Sequence, residues 1–193
     1  MLICPVCKTK LTRETSRYVC ENKHSHDISK YGHVNLLMSQ KGGNHGDSRE
    51  MLLSRKRFLD SGAYSPMREA LTKTIISLTE GYESLSLLDS GCGECYYTSR
   101  IKEALTNAGV KLHVIGIDIS KRLAAQRFNG ECKRVDSSIE LAVASSYQLP
   151  VAERSTDIVI SIFAPLCSEE FARILKQSGY FITVIPGKKH LWE

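Results

Sequence analysis

Ser86-Leu87-Leu88-Asp89-Ser90-Gly91-Cys92-Gly93-Glu94-Cys95 is the stretch from which the fold is read. A short apolar run ends in an acid, two glycines follow with one residue between them, and Tyr96 to Ala108 then carries apolar residues at helical spacing. Strand, glycine-rich turn and helix in that order make a ligand cradle, because a residue without Cβ lets the backbone come close to a bound group. Asp89 is expected to shape this turn and Gly91 and Gly93 to line it.

Working downstream, Leu112 to Asp118 reads as a second strand, Glu140 to Ala144 as a third, Asp157 to Phe163 as a fourth and Gly179 to Ile185 as a fifth, with a helix over Glu169 to Gln177. The stretches between these strands are long enough for crossovers, so a mainly parallel, Rossmann-like α/β sheet covered on both faces is expected. Asp118 ends the second strand about 25 residues beyond the turn, where a carboxylate can accept hydrogen bonds from both hydroxyls of a ribose. That points to an adenosine ligand across the strand tips, although a Gly-x-Gly turn also occurs where packing alone is tight. The full G-x-G-x-x-G is missing, which disfavours a pyrophosphate cradle. NAD-type and S-adenosylmethionine-type sites both fit the residues up to this point.

Working upstream, Ser39 to Ser48 is glycine-rich and polar and reads as a loop or hinge, with Asp47 or Ser48 available to cap a helix over Arg49 to Asp60. Pro66 suits the first turn of a second helix. Nearer the start, Cys4, Cys7, Cys20 and His24 form C-x2-C-x12-C-x3-H, a zinc-site spacing. The C-x2-C turn aims two thiolates at one point, a hairpin through Leu11 and Tyr18-Val19 returns the chain, and a tetrahedral ion needs two further ligands. His26 is the alternative fourth ligand, and scattered thiols with a surface histidine are the bland alternative. Four protein ligands leave no open position, so the site reads as structural; a module of some 30 residues buries too little apolar surface to fold without its metal.

Composition bounds the rest. The 193 residues, 42% hydrophobic and 24% charged, allow one main core plus a small appendage and exclude a disordered or low-complexity chain. No apolar run approaches the roughly 18 residues of a membrane span, so a cytoplasmic protein is expected. Seven Cys without an export signal fit metal ligation or reduced thiols. The formal charge of +5 lies in the first 60 residues, which hold 11 Lys and Arg against 6 Asp and Glu. That asymmetry suits an anionic partner such as nucleic acid, or simply a solvated face.

Taken together, these motifs resemble the bacterial 23S rRNA guanine-N1 methyltransferase family, class I S-adenosylmethionine-dependent enzymes with an N-terminal zinc-binding module. The resemblance runs through Cys4-x2-Cys7, Cys20-x3-His24, Gly32-x-Val34-Asn35-Leu36-Leu37, Phe58-Leu59-Asp60-x-Gly62-x-Tyr64-x-Pro66, Asp89-x-Gly91-Cys92-Gly93-Glu94-x-Tyr96-Tyr97, Ala144-Ser145-Ser146, Ala164-Pro165 and Pro186-Gly187-x-x-His190-Leu191. It implies zinc at Cys4, Cys7, Cys20 and His24 and contacts to S-adenosylmethionine from Tyr64, Gly93, Glu94 and His190. Read from the residues alone, Tyr64 is alternatively a packed aromatic and His190 a surface histidine. The implied substrate is a hairpin-loop guanine of 23S rRNA and the implied assembly a homodimer. The expected organisation is 1–38 as the zinc-binding, RNA-contacting module, 39–84 as linker and helices, and 85–193 as the methyltransferase core.

Three departures from the family pattern stand out. Cys95 occupies a position where the family usually has Gly, so backbone strain or a crowded pocket is expected there. Lys176-Gln177-Ser178-Gly179 replaces a Lys-Pro-Gly-Gly turn. Family members also continue beyond the equivalent of Glu193, with a further helix and the last two strands, so a truncated core with an open sheet edge is expected. Two other classes stay open: a methyltransferase acting on a small molecule or protein, and a non-catalytic zinc- and RNA-binding remnant.

Overall fold

The computed structural model describes residues 1–38, 48–120 and 138–188. Strands β1 (Leu11–Arg13), β2 (Arg17–Cys20) and β3 (Ser25–Asp27) form a small antiparallel sheet in that order. The large sheet has six parallel strands in the order β4-β7-β6-β5-β8-β9. These are β4 (His33–Asn35), β5 (Ser84–Ser90), β6 (Lys111–Asp118), β7 (Ile139–Val143), β8 (Thr156–Ile162) and β9 (Leu175–Val184). The helices are α1 (Arg49–Asp60), α2 (Ser65–Leu78), α3 (Tyr96–Asn107) and α4 (Ser168–Ile174).

Local chemistry sets the helix ends. Ser48 caps α1 by accepting from the Met51 N–H at 3.2 Å, so the cap falls on Ser48, while Asp47 lies outside the described residues. Pro66 sits in the first turn of α2, where its missing N–H costs nothing. The expected helix over Glu169 to Gln177 is corrected at its end: α4 stops at Ile174 and Leu175 already starts β9. Tertiary pairing overrides helix propensity here. Leu175 pairs with Thr156, and Lys176 Nζ holds Asp157 Oδ2 at 2.9 Å. The ladder is irregular at this entry, and a Cβ on Gly179 would lie 3.0 Å from the Asp157 carbonyl oxygen, which accounts for glycine there.

Five of the six strands of the large sheet follow the sequence reading; β4 does not appear in it. Three residues carry no period, and β4 is a strand only because His33, Val34 and Asn35 pair with Leu141, Ala142 and Val143 of β7. The N-terminal segment is therefore built into the large sheet. Leu2 also bridges to Val151, and the Ile3 N–H donates to the Pro150 carbonyl at 2.9 Å.

Side-chain alternation divides the core into two layers. Leu85, Leu87, Val114, Leu141, Ile158 and Ile160 face Ile75, Ile101 and Leu105 of α2 and α3. Leu88, Ile115, Ile117, Ala142 and Val159 face the other way, onto Leu2, Leu11, Tyr18 and Cys20 of the N-terminal module and Phe171 and Ile174 of α4. Among the described residues, no helix is long and apolar enough to cross a membrane.

Candidate functional site

The first site is the cysteine cluster. Each of the two ligand knuckles, Cys4-x2-Cys7 and Cys20-x3-His24, has a lysine with φ +62°: the Lys8 N–H donates to the Cys4 carbonyl and the Lys23 N–H to the Cys20 carbonyl, both at 2.9 Å. These turns bring the ligand atoms of Cys4, Cys7, Cys20 and His24 within 4.8 Å of one another. Cys7 Sγ lies 3.6 Å from Cys20 Sγ, Cys20 Sγ 3.4 Å from His24 Nδ1, and Cys4 Sγ 3.6 Å from His24 Nδ1. A tetrahedral zinc with bonds of about 2.3 Å to sulfur and 2.0 Å to nitrogen has ligand–ligand edges of about 3.5 to 3.8 Å, so the cluster fits that ion. His26 stays outside the four but keeps Nε2 3.6 Å from Cys4 Sγ. Hydrogen bonds from the Thr9 hydroxyl, 3.2 Å away, and the Thr9 backbone bring the Cys7 thiol down to about 5, toward the thiolate a metal requires.

The second site is a cavity of about 480 Å³ at the carboxyl ends of β5 to β8. Tyr64, Asp89, Gly91, Gly93, Glu94 and Asp118 all line it. His190 lies outside the described residues. Gly91 has φ +82°, and a Cβ there would meet Ala164 Cβ at 2.3 Å, so this glycine is required by the crossing of β8's tip over the turn. Gly93 has φ +51° with open space where a Cβ would point. Cys95, the α3 cap residue, has φ +60° and is fully buried, so the strain expected from a side chain at this position is present. Thr98 donates its hydroxyl to Asp89, which ties the end of β5 to α3.

Asp118 joins the two ends of the site. Its Oδ2 accepts from the Gly93 N–H at 2.9 Å and its Oδ1 from the Ser120 N–H at 2.8 Å, which fixes the carboxylate while each oxygen keeps a further lone pair for a ligand hydroxyl. On the far side, Tyr64 holds Phe58 and Phe163 edge-on with ring centroids 5.6 and 5.8 Å away. Arg55 also lines the cavity and is the one Lys, Arg or His among the described lining residues. As site residues Arg55 and Phe163 escaped the sequence reading: a helix-surface arginine and an aromatic at a strand end carry no signal until the fold brings them into one lining. Burial raises the hydroxyl pKa of Tyr97, also in the lining, so it remains protonated.

A parallel sheet with a glycine turn at β5, an acid at the tip of β6 and a cavity across the strand ends defines a class I S-adenosylmethionine-dependent methyltransferase fold, here carrying a zinc ribbon. Residues 2–43 match the zinc-ribbon family described as RlmA, N-terminal, and residues 88–183 match the methyltransferase domain family. A solved structure from Methanococcus maripaludis, provisionally named an S-adenosyl-L-methionine-dependent methyltransferase, shares this fold at 14% identity with a TM-score of 0.56, over 74% of this chain and 67% of that one. The chain is 31% identical along its whole length to YxjB of Bacillus subtilis, provisionally named a 23S rRNA (guanine-N(1)-)-methyltransferase, and covers 67% of it. It is also 31% identical to the 23S rRNA (guanine(748)-N(1))-methyltransferase of Streptomyces fradiae, of which it covers 65%. The chain belongs to the 23S rRNA (guanine-N1)-methyltransferase family and spans about two thirds of the length of these relatives.

Proposed function

We propose that this chain transfers a methyl group from S-adenosylmethionine to N1 of a guanine in 23S rRNA. The observation that carries the reading is the presence, in one chain, of a four-residue cluster able to ligate zinc and a strand-tip cavity, with similarity along the whole of this chain to about two thirds of relatives named for that activity. When bound, the cofactor supplies an electrophilic methyl group on a sulfonium.

The protein's contribution is position. Asp118 holds the ribose, Gly91 and Gly93 let the backbone reach the ligand, and Tyr64, Glu94 and His190 complete the donor contacts. Holding donor and acceptor at attack distance supplies much of the rate. Cys4, Cys7, Cys20 and His24 hold zinc, which shapes the ribbon and leaves no open position for chemistry.

An RNA base reaches the cavity only when unstacked, which suits a hairpin-loop guanine. Lys8, Lys10, Arg13, Arg17 and Lys23 are exposed on the ribbon and serve as the phosphate grip, with Arg17 also paired to Glu14 at 2.7 Å. The working division is 1–38 for the RNA-contacting module, 39–84 for linker and helices and 85–193 for the methyltransferase core. The protein acts in the cytoplasm, where its RNA is, as a homodimer; sedimentation at micromolar concentration checks the assembly.

The test is incubation of the zinc-loaded chain with protein-free bacterial 23S rRNA and methyl-labelled S-adenosylmethionine. The expected result is label in 1-methylguanosine at one position, seen as a reverse-transcription stop. Label only in another nucleoside, or none in RNA, overturns the proposal. Charge reversal at Lys10 and Arg13 is expected to weaken RNA binding and flatten its salt dependence.

A further inference from the structure

Phe163 is one of five non-glycine residues held at positive φ among the described residues, and the one of these with an aromatic side chain. It directly follows β8 with φ +51°, a region disfavoured for a non-glycine residue, and the residue is 41% exposed. The turn is pinned from both sides: the Phe163 N–H donates to the Val184 carbonyl at 2.9 Å, and Ala164 sits over Gly91. The turn places an aromatic ring in the cavity lining next to Tyr64, whose other ring neighbour is Phe58. Arg55, one helical turn before Phe58, brings the cation to a cavity whose other charged lining residues are the acids Asp89, Glu94 and Asp118. Asp89 lies in β5, Glu94 in the turn before α3 and Asp118 at the β6 tip, whereas Arg55 and Phe58 come from α1 and Phe163 directly follows β8, so the aromatic and cationic groups form a second half of the lining, supplied by other elements than the acids.

Resting on the methyltransferase reading above, we propose that this half is the acceptor-base subsite: guanine stacks on Phe163, and the Arg55 guanidinium hydrogen-bonds the O6/N7 edge. A guanidinium fork matches those two acceptors and meets a repelling amino group at position 6 of adenine. The same contact assists the chemistry. N1 of neutral guanine carries a proton and has no lone pair to offer. As that proton leaves to water, negative charge spreads to O6, where Arg55 stabilises it. The N1 lone pair then forms the bond to the methyl carbon, and the carbon–sulfur bond breaks with its electron pair remaining on sulfur. Arg55 is thus assigned both base selection and a lowering of the N1 pKa, and Phe163 the stacking.

The test uses the full zinc-loaded chain, 23S rRNA, and the variants Arg55→Ala, Arg55→Lys and Phe163→Ala. Arg55→Ala is expected to lower kcat roughly 100-fold at neutral pH and to move the kcat profile about one unit to higher pH, since the N1 proton is held more tightly without the cation. Arg55→Lys restores the profile but only part of the rate. Replacing guanosine by 7-deazaguanosine in the transcript is expected to cost the native protein about tenfold and Arg55→Ala nothing further. Phe163→Ala is expected to raise KM for RNA by roughly tenfold or more. S-adenosylmethionine affinity by calorimetry stays within about twofold in all three. An unmoved pH profile, or loss of donor affinity in Arg55→Ala, overturns the assignment while leaving the activity standing. If the native chain does not methylate RNA, the function reading fails by itself, and NMR titration of the S-adenosylhomocysteine complex with GMP and AMP still decides the subsite. A preference for GMP that Arg55→Ala abolishes supports it, and equal binding of both nucleotides overturns it.

Discussion

Leu87 and Leu88 are neighbours in β5, both essentially buried, yet they stand in different kinds of core. Leu87 faces α2 and α3, a cover made of ordinary amphipathic helices. Leu88 faces the ribbon and α4, and the ribbon residues on that side include Cys4 and Cys20, two of the four candidate zinc ligands. One face is closed by hydrophobic periodicity; much of the other is closed by a layer whose shape depends on a metal. Burial alone does not distinguish them, so their difference shows only under perturbation.

Metal withdrawal is the largest such perturbation. Structural zinc contributes on the order of 10 kcal/mol to folding of small ribbon modules. Chelation, or Cys20→Ser, is expected to lower the thermal midpoint sharply and to expose β7 and the ribbon to hydrogen exchange first, with α2 and α3 protected longer. Equal loss of protection on both faces would show a single cooperative layer instead. Next in size, Leu87→Ala and Leu88→Ala each cost about 2 to 5 kcal/mol in the zinc-loaded protein. After metal removal the cost at Leu88 is expected to shrink while that at Leu87 persists, as denaturant titration of the four species would reveal.

The smaller tests concern single contacts. Tyr18 donates its hydroxyl to Glu140 at 3.1 Å, linking ribbon to β7, and burial pushes that phenol up to about 12. Tyr18→Phe is expected to cost about 1 kcal/mol, read by chemical denaturation, and to move hydrogen exchange in the ribbon more than in α3. At Cys95, the Gly variant is expected to be more stable than the Ala variant by about 1 kcal/mol, the reverse of the usual order in a helix. Equal stabilities would show that the φ of +60° carries no strain.

Acid acts on both faces. At Asp157 burial opposes charge, but the Lys176 ammonium and the Ser86 hydroxyl outweigh it and hold the carboxyl below its ordinary range. At Glu170 the hydrogen bonds from Arg173 do the same, and at Glu140 His113 and Tyr18 overcome burial. All three folded-state values are depressed, so their contribution is complete above the ordinary carboxylate range of about 4 and is lost as pH falls below it. Thermal melts from pH 6 down to 3 should show a falling midpoint, and Asp157→Asn should flatten that fall.

What was legible in the sequence follows the same division. Gly91, Gly93 and Asp118 announced the β5 turn and β6 tip because local backbone needs select glycine, and an acid at a strand end has few structural uses. Cys4, Cys7, Cys20 and His24 were legible as spacing, since a tetrahedral ion dictates it. His33 to Asn35 were illegible as a strand because their partner lies on β7. The early end of α4 was illegible because Leu175 answers to Thr156, and the cavity mouth because nothing local marks Phe163 as a residue held at positive φ.

The pairing of β4 with β7 also bears on how the protein is made. His33 meets Leu141, and Leu2 meets Val151, more than a hundred residues later in the chain. During synthesis the ribbon leaves the ribosome well before the surface that will cover it exists, and contacts this distant in sequence form late. In that interval a zinc ion held by Cys4, Cys7, Cys20 and His24 would be the ribbon's means of staying folded, so metal depletion during synthesis is expected to lower the yield of native protein.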